Sequence, residues 1–321
     1  MITLEEIKNK MKIVYFGTPD FASYILQYIL EKGAEVVGVV TNPDKPAGRG
    51  HKLRPSAVKE VAMKYCPNVP ILQPENLRDE GFHAELKALG ADLFIVIAFR
   101  MLPREVWAMP RLGTFNLHAS LLPQYRGAAP IQHAILNDEK ETGVTTFLLN
   151  EGIDEGNILL QEKVAITPEE TGGSLHDKLM QLGAEVTFKT IQGLEQGTLS
   201  PKPQPKVEGL RYATKIFKED RLLSFQQESA HAIALRIRAM SPYPSAIATL
   251  GEEEIKVFKA TPYPSLQGLQ PGEYRVTKES VVVQCSEGAV ELWEVQFPNK
   301  RRTTIHDYLL GNSFPEGGRF I

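Results

Sequence analysis

The sequence predicts an α/β protein in which a doubly wound, mostly parallel sheet precedes a smaller β-rich domain. Short apolar runs alternate with helical patterns through the first half, which is typical of βαβ units. These runs are continuous rather than alternating in polarity, as expected of strands buried on both faces. After a proline-rich stretch at residues 200–206, short strand patterns separated by turn residues take over, which favours a small barrel or sandwich.

The first half supplies the elements of the predicted parallel sheet. Residues 12–16 form an apolar run that ends at Gly17, and helical spacing follows from Asp20 to Lys32. Further strands are predicted at residues 35–41, 92–98, 114–117, 143–149 and 157–166. A long helical pattern at residues 169–195 completes this domain.

The second half begins after an extended segment. Three alternating prolines in residues 200–206 favour an extended linker over a helix. A helix is predicted at residues 229–240, followed by strands at residues 246–250, 255–260, 273–276, 281–284 and 289–295. The predicted domain plan is an N-terminal extension at residues 1–11, an α/β domain at 12–199, a linker at 200–218 and a β-rich domain at 219–321.

Composition narrows the function classes. The chain has 36 Lys and Arg residues against 39 Asp and Glu residues. This balance excludes a protein that coats nucleic acid by overall positive charge, but it does not exclude a local basic face.

Two cysteines, Cys66 and Cys285, are too few for a disulfide framework or a cysteine metal site, and the histidines lack metal-ligand spacing. No apolar run reaches the roughly 20 residues of a membrane helix, and the charged residues 1–10 do not resemble a secretory signal. We therefore expect a cytoplasmic protein with no metal and no membrane partner.

The most informative motif lies at the end of the strand predicted at residues 114–117. Asn116 and His118 are two residues apart, so both project to one side of an extended chain. The carboxyl end of a parallel strand is where open α/β sheets bind ligands. Asparagine can donate a hydrogen bond to an oxyanion, and histidine can exchange a proton near neutral pH. The pair therefore indicates a catalytic site, against the alternative that His118 satisfies a buried backbone group.

A carboxylate could orient the histidine. Asp154 lies in the glycine-flanked turn at residues 152–156, between two predicted strands. Glycines allow unusual backbone angles and close approach of a ligand. An ordinary Asp-containing turn is the equally weighted alternative.

Two other loops follow strands of the predicted sheet. Residues 42–54 form a basic, glycine-containing loop that includes Lys45, Arg49 and Lys52, and it could contact phosphates or simply be solvated. The turn at Gly17 carries one glycine where the dinucleotide fingerprint needs three. This argues against a nicotinamide-binding module.

These segments together resemble the folate-dependent formyltransferase family. Asn116, His118, the Ser120-Leu121-Leu122-Pro123 loop and Asp154 match its catalytic pattern in kind and order. Further likeness comes from Phe16-Gly17-Thr18-Pro19-Asp20-Phe21, Lys45-Pro46-Ala47-Gly48-Arg49-Gly50, Tyr125-Arg126-Gly127-Ala128-Ala129-Pro130-Ile131-Gln132 and the tail Gly317-Gly318-Arg319-Phe320. One departure is Ala98-Phe99-Arg100, which replaces the commoner Ala-Tyr-Gly near the folate pocket. The resemblance implies a Rossmann-like catalytic domain and an OB-like C-terminal barrel.

The resemblance also implies a reaction and roles for residues. The donor would be 10-formyltetrahydrofolate, and the acceptor the α-amino group of methionyl initiator tRNA, with no metal and a monomeric enzyme. Asn116 would stabilise the oxyanion, His118 would move protons, and Asp154 would orient His118 and any bridging water. The folate would contact Ser120, Leu121, Leu122, Pro123 and Phe99. The tRNA would contact Lys45, Arg49 and Lys52, with the second domain lying along it.

Three alternatives stay open. The same fold and donor could serve another amine, such as a nucleotide sugar or a purine precursor. Water could be the acceptor, which would make the protein a formyltetrahydrofolate hydrolase. A nucleotide-binding module without catalysis is disfavoured by the single-glycine turn and by the pair Asn116 and His118.

Overall fold

The computed structural model describes residues 10–47, 52–315 and 317–321. Within them the chain forms two compact units. The first unit takes the residues up to 126 together with 143–164 and 177–211, and the second takes 127–142, 165–176 and 212–321. Each unit thus draws on several stretches of chain. The domain boundaries expected from sequence stay a prediction, and the extension at residues 1–11 lies almost wholly outside the described residues.

The elements up to residue 195 comprise those that the sequence patterns predict and several further ones between them. They are β1 (Lys12–Gly17), α1 (Asp20–Glu31), β2 (Glu35–Val40), β3 (Lys45–Ala47), β4 (Lys52–Arg54), α2 (Ala57–Tyr65), β5 (Ile71–Leu72), α3 (Glu80–Ala88), β6 (Leu93–Ile97), α4 (Arg104–Trp107), β7 (Thr114–His118), β8 (Arg126–Gly127), α5 (Pro130–Leu136), β9 (Glu141–Leu148), β10 (Ile158–Ala165) and α6 (Gly172–Glu195).

Seven of these strands form the central sheet of the first unit, in the order β10-β9-β7-β6-β1-β2-β5. The five strands from β7 to β5 run parallel, and β9 runs antiparallel to β7. The chain leaves β1 towards β2 on one side and returns to β6 on the other, so the strand order reverses at β1. The predicted doubly wound, mostly parallel sheet is therefore confirmed. Ligands of such sheets bind at the carboxyl ends beside this reversal.

Alternating side chains of the strands attach helices to both faces of the sheet. Val14 and Phe16 of β1 belong to a buried cluster with residues of α3 and α4. Tyr15 points to the other face, where its hydroxyl donates to the Ala22 carbonyl of α1 at 2.6 Å. On β7, Leu117 lies so close to Gly183 of α6 that a Cβ there would be 2.7 Å from its side chain. Because Leu117 points towards α6, its neighbours on the strand point away from that helix.

Besides α5, the second unit contains the elements that follow residue 211. They are β11 (Tyr212–Ala213), a 3₁₀ turn (Glu219–Arg221), α7 (Ala230–Met240), β12 (Ala246–Leu250), β13 (Glu253–Tyr263), β14 (Tyr274–Val276), β15 (Val281–Gln284), β16 (Ala289–Gln296), β17 (Thr303–Thr304) and α8 (Ile305–Leu309). Strands β12-β13-β16-β15-β14 form one sheet in that order, with β17 beside β16. Every described pair in it is antiparallel. Ile233, Ile237 and Met240 of α7 are buried in its core.

The last residues of the chain connect the two outer strands of this sheet. Phe320 bridges Leu250 at the end of β12, and Arg319 bridges Glu273, which directly precedes β14. The sequence pattern left a barrel or a sandwich open. Strands β12 to β17 form one sheet whose outer strands are bridged by residues 319 and 320, which favours the barrel. No helix in the described ranges combines the length and apolar character that crossing a bilayer requires.

Candidate active site

The site is built on the carboxyl end of β7. Asn116 lies opposite Val96 of β6 and Phe147 of β9, so its backbone is held from both sides. Asn116 and His118 project from the face of the sheet opposite to Leu117. The Asn116 side chain is partly exposed and makes no hydrogen bond within the described parts of the chain. Its amide can therefore donate to an oxygen atom supplied from outside.

His118 is buried, with 7% of its surface exposed, and a carbonyl group fixes its ring. Its Nε2 atom lies 2.8 Å from the carbonyl oxygen of Tyr125. A carbonyl oxygen can only accept, so Nε2 carries the proton. In the neutral ring Nδ1 is then the unprotonated nitrogen. Nδ1 is therefore the atom at which His118 can take up and release a proton.

Asp154 faces that nitrogen. Its Oδ2 atom lies 3.7 Å from Nδ1 of His118, and both side chains are largely buried. This distance is longer than a hydrogen bond, but a carboxylate there stabilises a proton gained by the ring. The structure thus brings together the two residues whose proximity the sequence could not establish.

The turn that carries Asp154 has a constrained backbone. Asp154 adopts a positive φ of 55°, a conformation that aspartate tolerates better than most residues. Two residues later, a Cβ on Gly156 would lie 1.6 Å from the carbonyl oxygen of Leu148. Glycine is therefore required for the chain to return this closely beside β9.

A polar network shapes the loop after β7. The buried hydroxyl of Ser120 donates to the carbonyl of Gln124 at 2.7 Å. Thr145 of β9 donates to the Ser120 carbonyl at 2.7 Å, and its oxygen accepts from the Leu122 amide at 3.2 Å. Gln161 of β10 donates to the Leu122 carbonyl at 3.0 Å and to the Thr145 hydroxyl at 2.8 Å. The loop is held by side chains from two neighbouring strands.

The predicted folate residues differ in their accessibility. Ser120, Leu122 and Pro123 are buried, whereas Leu121 is partly exposed. Phe99 is partly buried just beyond β6, where its ring meets that of Phe16 edge to face at 5.8 Å. Their contact with folate stays a prediction. The sequence did not single out Thr145 or Gln161. The signal available for Thr145 was its place beside Thr146 inside an otherwise apolar strand pattern.

The basic loop forms a hairpin of β3 and β4 with a fixed base. Lys59 of α2 donates to Asp44 and to Gln73, each at 2.7 Å. The Gln73 amide in turn donates to Asp44 at 2.8 Å and to the Asn42 carbonyl at 2.9 Å. Both hydrogen bonds lower the pKa of Asp44 below its usual value, and the bond from Lys59 has the larger effect.

Two of the three predicted tRNA contacts, Lys45 and Lys52, lie on the paired strands β3 and β4. Lys45 is exposed on β3, Lys52 is described in its backbone alone, and Arg49 lies outside the described residues. Their role stays a prediction. The turn at Gly17 is tightly packed, since a Cβ there would lie 2.7 Å from that of Ala22. In the described ranges, no group of three His, Cys, Asp or Glu residues is arranged to hold a metal ion.

The segment expected to be a linker contacts the site region through the backbone of Lys202 and the side chain of Gln204. Lys202 pairs with Ile158 at the start of β10, through backbone hydrogen bonds of 2.7 and 2.8 Å. Gln204 donates to the carbonyls of Asp154 and Gly156 at 2.7 and 2.9 Å. The sequence did not single out Gln204. The one signal was a glutamine between two prolines.

Comparisons with known proteins agree with this architecture. A family model described as "Formyl transferase" matches residues 11–191, and one described as "Formyl transferase, C-terminal domain" matches residues 215–313. A methionyl-tRNA formyltransferase of Bacteroides fragilis is 45% identical over 313 residues, covering 95% of this chain and 96% of the relative. One of Flavobacterium johnsoniae is 43% identical over 312 residues, covering 96% and 98%.

Solved structures share the fold at lower identity. HypX of Aquifex aeolicus, solved in complex with tetrahydrofolic acid, has a TM-score of 0.65 and 20% identity, covering 94% of this chain and 47% of that one. WlaRD, a sugar 3N-formyl transferase solved with dTDP and 5-N-formyl-THF, has a TM-score of 0.65 and 21% identity, covering 91% and 99%. At these identities the likeness establishes the fold.

Proposed function

The chain belongs to the formyl transferase family, and from this premise we propose that it transfers the formyl group of 10-formyltetrahydrofolate to the α-amino group of methionyl initiator tRNA. Near-complete coverage of relatives that carry this name supports the proposed acceptor. The product is a formylated initiator tRNA, which is used to start translation.

The observation that carries the proposal is the arrangement around His118. Its Nε2 is held by Tyr125, its Nδ1 faces Asp154, and Asn116 offers an unpaired amide on the same side of β7. This set combines a proton carrier, a carboxylate that stabilises the charged ring, and a donor for a developing oxyanion. Acyl transfer between two nitrogen atoms requires these three functions.

The reaction then follows from the chemistry of the groups. The neutral α-amino nitrogen attacks the formyl carbon, and the carbonyl oxygen becomes an oxyanion that accepts a hydrogen bond from Asn116. Nδ1 of His118 takes the proton released by the attacking amine, while Asp154 stabilises the imidazolium. The bond from the formyl carbon to N10 of the folate breaks, and the same proton passes from Nδ1 to N10. Formyl-methionyl tRNA and tetrahydrofolate leave with atoms and charges balanced.

The binding assignments rest on location. Phe99 and the loop from Ser120 to Pro123 follow β6 and β7, at the carboxyl edge where doubly wound sheets bind ligands. The basic segment of residues 42–54, which includes Lys45, Arg49 and Lys52 in sequence, follows β2 and offers positive charge for RNA phosphates. We place the reaction in the cytoplasm, where charged tRNA and reduced folates occur, and expect a monomeric enzyme.

The test is transfer of labelled formyl from 10-formyltetrahydrofolate to methionyl initiator tRNA. We expect Asn116→Ala to lower kcat by about 10²- to 10³-fold, as for other oxyanion donors. His118→Ala should lower kcat by about 10²- to 10⁴-fold. His306→Ala, which alters an exposed histidine of the second unit, is the control and should leave kcat unchanged. Circular dichroism checks that each variant is folded.

Parallel reactions separate the alternatives. A dTDP-linked amino sugar and a purine-precursor amine replace the tRNA in two of them, and a third contains no amine. Faster formylation of either small amine would overturn the proposed acceptor while keeping the donor and the site. Formate release without any amine would identify a hydrolase. No reaction with any acceptor, from folded protein that binds folate, would contradict the proposal as a whole.

A further inference from the structure

The segment from Lys202 to Arg211 lies beside both partners of His118. At one end, its Gln204 side chain bonds the turn that carries Asp154. At the other, the Arg211 carbonyl accepts from the Tyr125 amide at 2.7 Å, and the Arg211 amide donates to Gln124 at 2.8 Å. Tyr125 and Asp154 are the groups that face Nε2 and Nδ1 of the histidine. One stretch of chain therefore contacts the elements on either side of the catalytic ring.

Both the amide nitrogen and the amide oxygen of Gln204 are hydrogen-bonded. Residues 201–203 and 205–209 are exposed, whereas Gln204 is partly buried. Its Nε2 donates to the carbonyls of Asp154 and Gly156, both in the turn that carries Asp154, and its Oε1 accepts from Arg126 at 2.7 and 3.2 Å. Arg126 also donates to Glu155 of the same turn at 3.0 Å. The orientation of the amide is thus fixed on both sides, because carbonyls only accept and a guanidinium only donates.

From this arrangement we propose that Gln204 is a positioning residue for catalysis, which acts through Asp154 rather than on either substrate. Its two donated hydrogen bonds hold the Asp154 backbone in its positive-φ conformation. They thereby keep the carboxylate at the 3.7 Å separation from Nδ1 of His118. The inference rests on the proposed function, because it assumes that His118 and Asp154 serve the formyl transfer.

The residue type matters for this role. Gln204→Ala removes the bonds to both carbonyls and to Arg126. Gln204→Glu keeps the size and the bond to Arg126, but an ionised carboxylate cannot donate to the two carbonyls. We therefore expect both variants to lower kcat by about 10- to 100-fold with KM for both substrates within about twofold, since misplacing a catalytic group by about 1 Å costs up to 10²-fold. Gln196→Ala, an exposed glutamine of the same unit, is the matched control and should be neutral.

A double-mutant cycle separates positioning from a general structural role. In the Asp154→Asn background, measured by single turnover at high enzyme concentration, adding Gln204→Ala should lower the rate by less than about threefold. Equal effects in the wild-type and Asp154→Asn backgrounds would show that Gln204 does not act through Asp154. Wild-type kcat in the Gln204→Glu variant would also overturn the proposal.

Hydrogen exchange gives a readout that needs no activity. Amides of residues 150–157 should exchange faster in Gln204→Ala than in wild type, while those of β1 and β6 stay unchanged. Unchanged exchange at residues 150–157 would refute positioning whatever the reaction proves to be. If the wild type transfers no formyl group but the exchange increases, the proposed function fails and the positioning role stands.

Discussion

His118 has two ring nitrogens, and the Tyr125 carbonyl decides which of them can exchange a proton. Because Nε2 must donate to that carbonyl, the free lone pair of the neutral ring belongs to Nδ1, on the side of Asp154. The pair of Asn116 and His118 was predictable from alternation at a strand end. The tautomer was not, because it depends on a hydrogen bond formed only when the loop after β7 folds back.

The two cysteines differ in burial, and we expect their thiols to differ in reactivity. Burial raises the pKa of Cys285 to about 12 and also raises that of the partly exposed Cys66. The thiolate fraction of Cys285 at pH 8 is then roughly 10⁻⁴. We predict that Ellman's reagent at pH 8 modifies one thiol of the native protein, that of Cys66. In 6 M guanidinium the reagent should modify both thiols. The rate of modification of native Cys66 should rise as the pH rises towards the pKa of this thiol. The native Cys66→Ser variant should give no signal; a fast-reacting thiol in it would contradict the burial of Cys285.

At the scale of elements, contacts local in sequence were predictable and distant ones were not. Helix and strand periodicity identified β1, α1, β6 and β7, because each of these elements displays its own apolar pattern. The Thr145 bond to Ser120 spans 25 residues, the Gln161 bond to Leu122 spans 39, and the Gln204 bond to Asp154 spans 50. No local pattern encodes such pairs. This is why the prolines of residues 200–206 predict a linker, although Lys202 pairs with the edge strand β10 and Gln204 bonds the turn that carries Asp154.

The hairpin of β3 and β4 offers an element-scale test of tRNA binding. Lys59 and Gln73 hold Asp44 at its base, and the lowered pKa of Asp44 means that this support is present at neutral pH and is lost on acidification through that pKa. We predict that Lys59→Ala raises KM for methionyl-tRNA by about threefold to tenfold, from the loss of roughly one net hydrogen bond's free energy, and leaves KM for the folate unchanged.

The matched control is Lys64→Ala, which removes the same charge from an exposed position on α2. Hydrogen exchange at residues 42–46 should increase in Lys59→Ala and not in Lys64→Ala. An equal rise of KM for methionyl-tRNA in the two variants would show that positive charge on α2, and not support of the hairpin, matters for the tRNA.

For the whole molecule, the change from a parallel to an antiparallel sheet was predictable, whereas the way each unit draws on several stretches of chain was not. The change from βαβ patterns to short strands marked two regions, because a parallel and an antiparallel sheet leave different signatures. Yet residues 127–142 and 165–176 belong to the second unit although they lie within the stretch expected to form the first. The role of the tail was equally hidden, because bridging the outer strands at Leu250 and Glu273 depends on where those strands end.

That bridging makes the last residues a determinant of stability in the second unit. Phe320 is 1% exposed, and its ring lies 5.2 Å from that of Phe225 and 5.4 Å from that of Tyr274. Its amide donates to Gly272 at 2.9 Å, and its carbonyl accepts from Gln226 at 2.6 Å. We predict that Phe320→Ala lowers the free energy of unfolding of the second unit by about 3–5 kcal/mol, the usual cost of removing a buried phenylalanine.

The two tryptophans allow this loss to be measured in each unit separately. Trp107 lies on α4 in the first unit and Trp293 on β16 in the second, and the chain contains no others. In a Trp107→Phe background, urea unfolding followed by Trp293 fluorescence should shift to lower denaturant when Phe320→Ala is added. In a Trp293→Phe background the Trp107 transition should shift less. Phe217→Ala, at an exposed phenylalanine of the same unit, should change either transition by no more than about 0.5 kcal/mol. An unshifted Trp293 transition in Phe320→Ala would mean that the bridging tail contributes nothing to the sheet it connects.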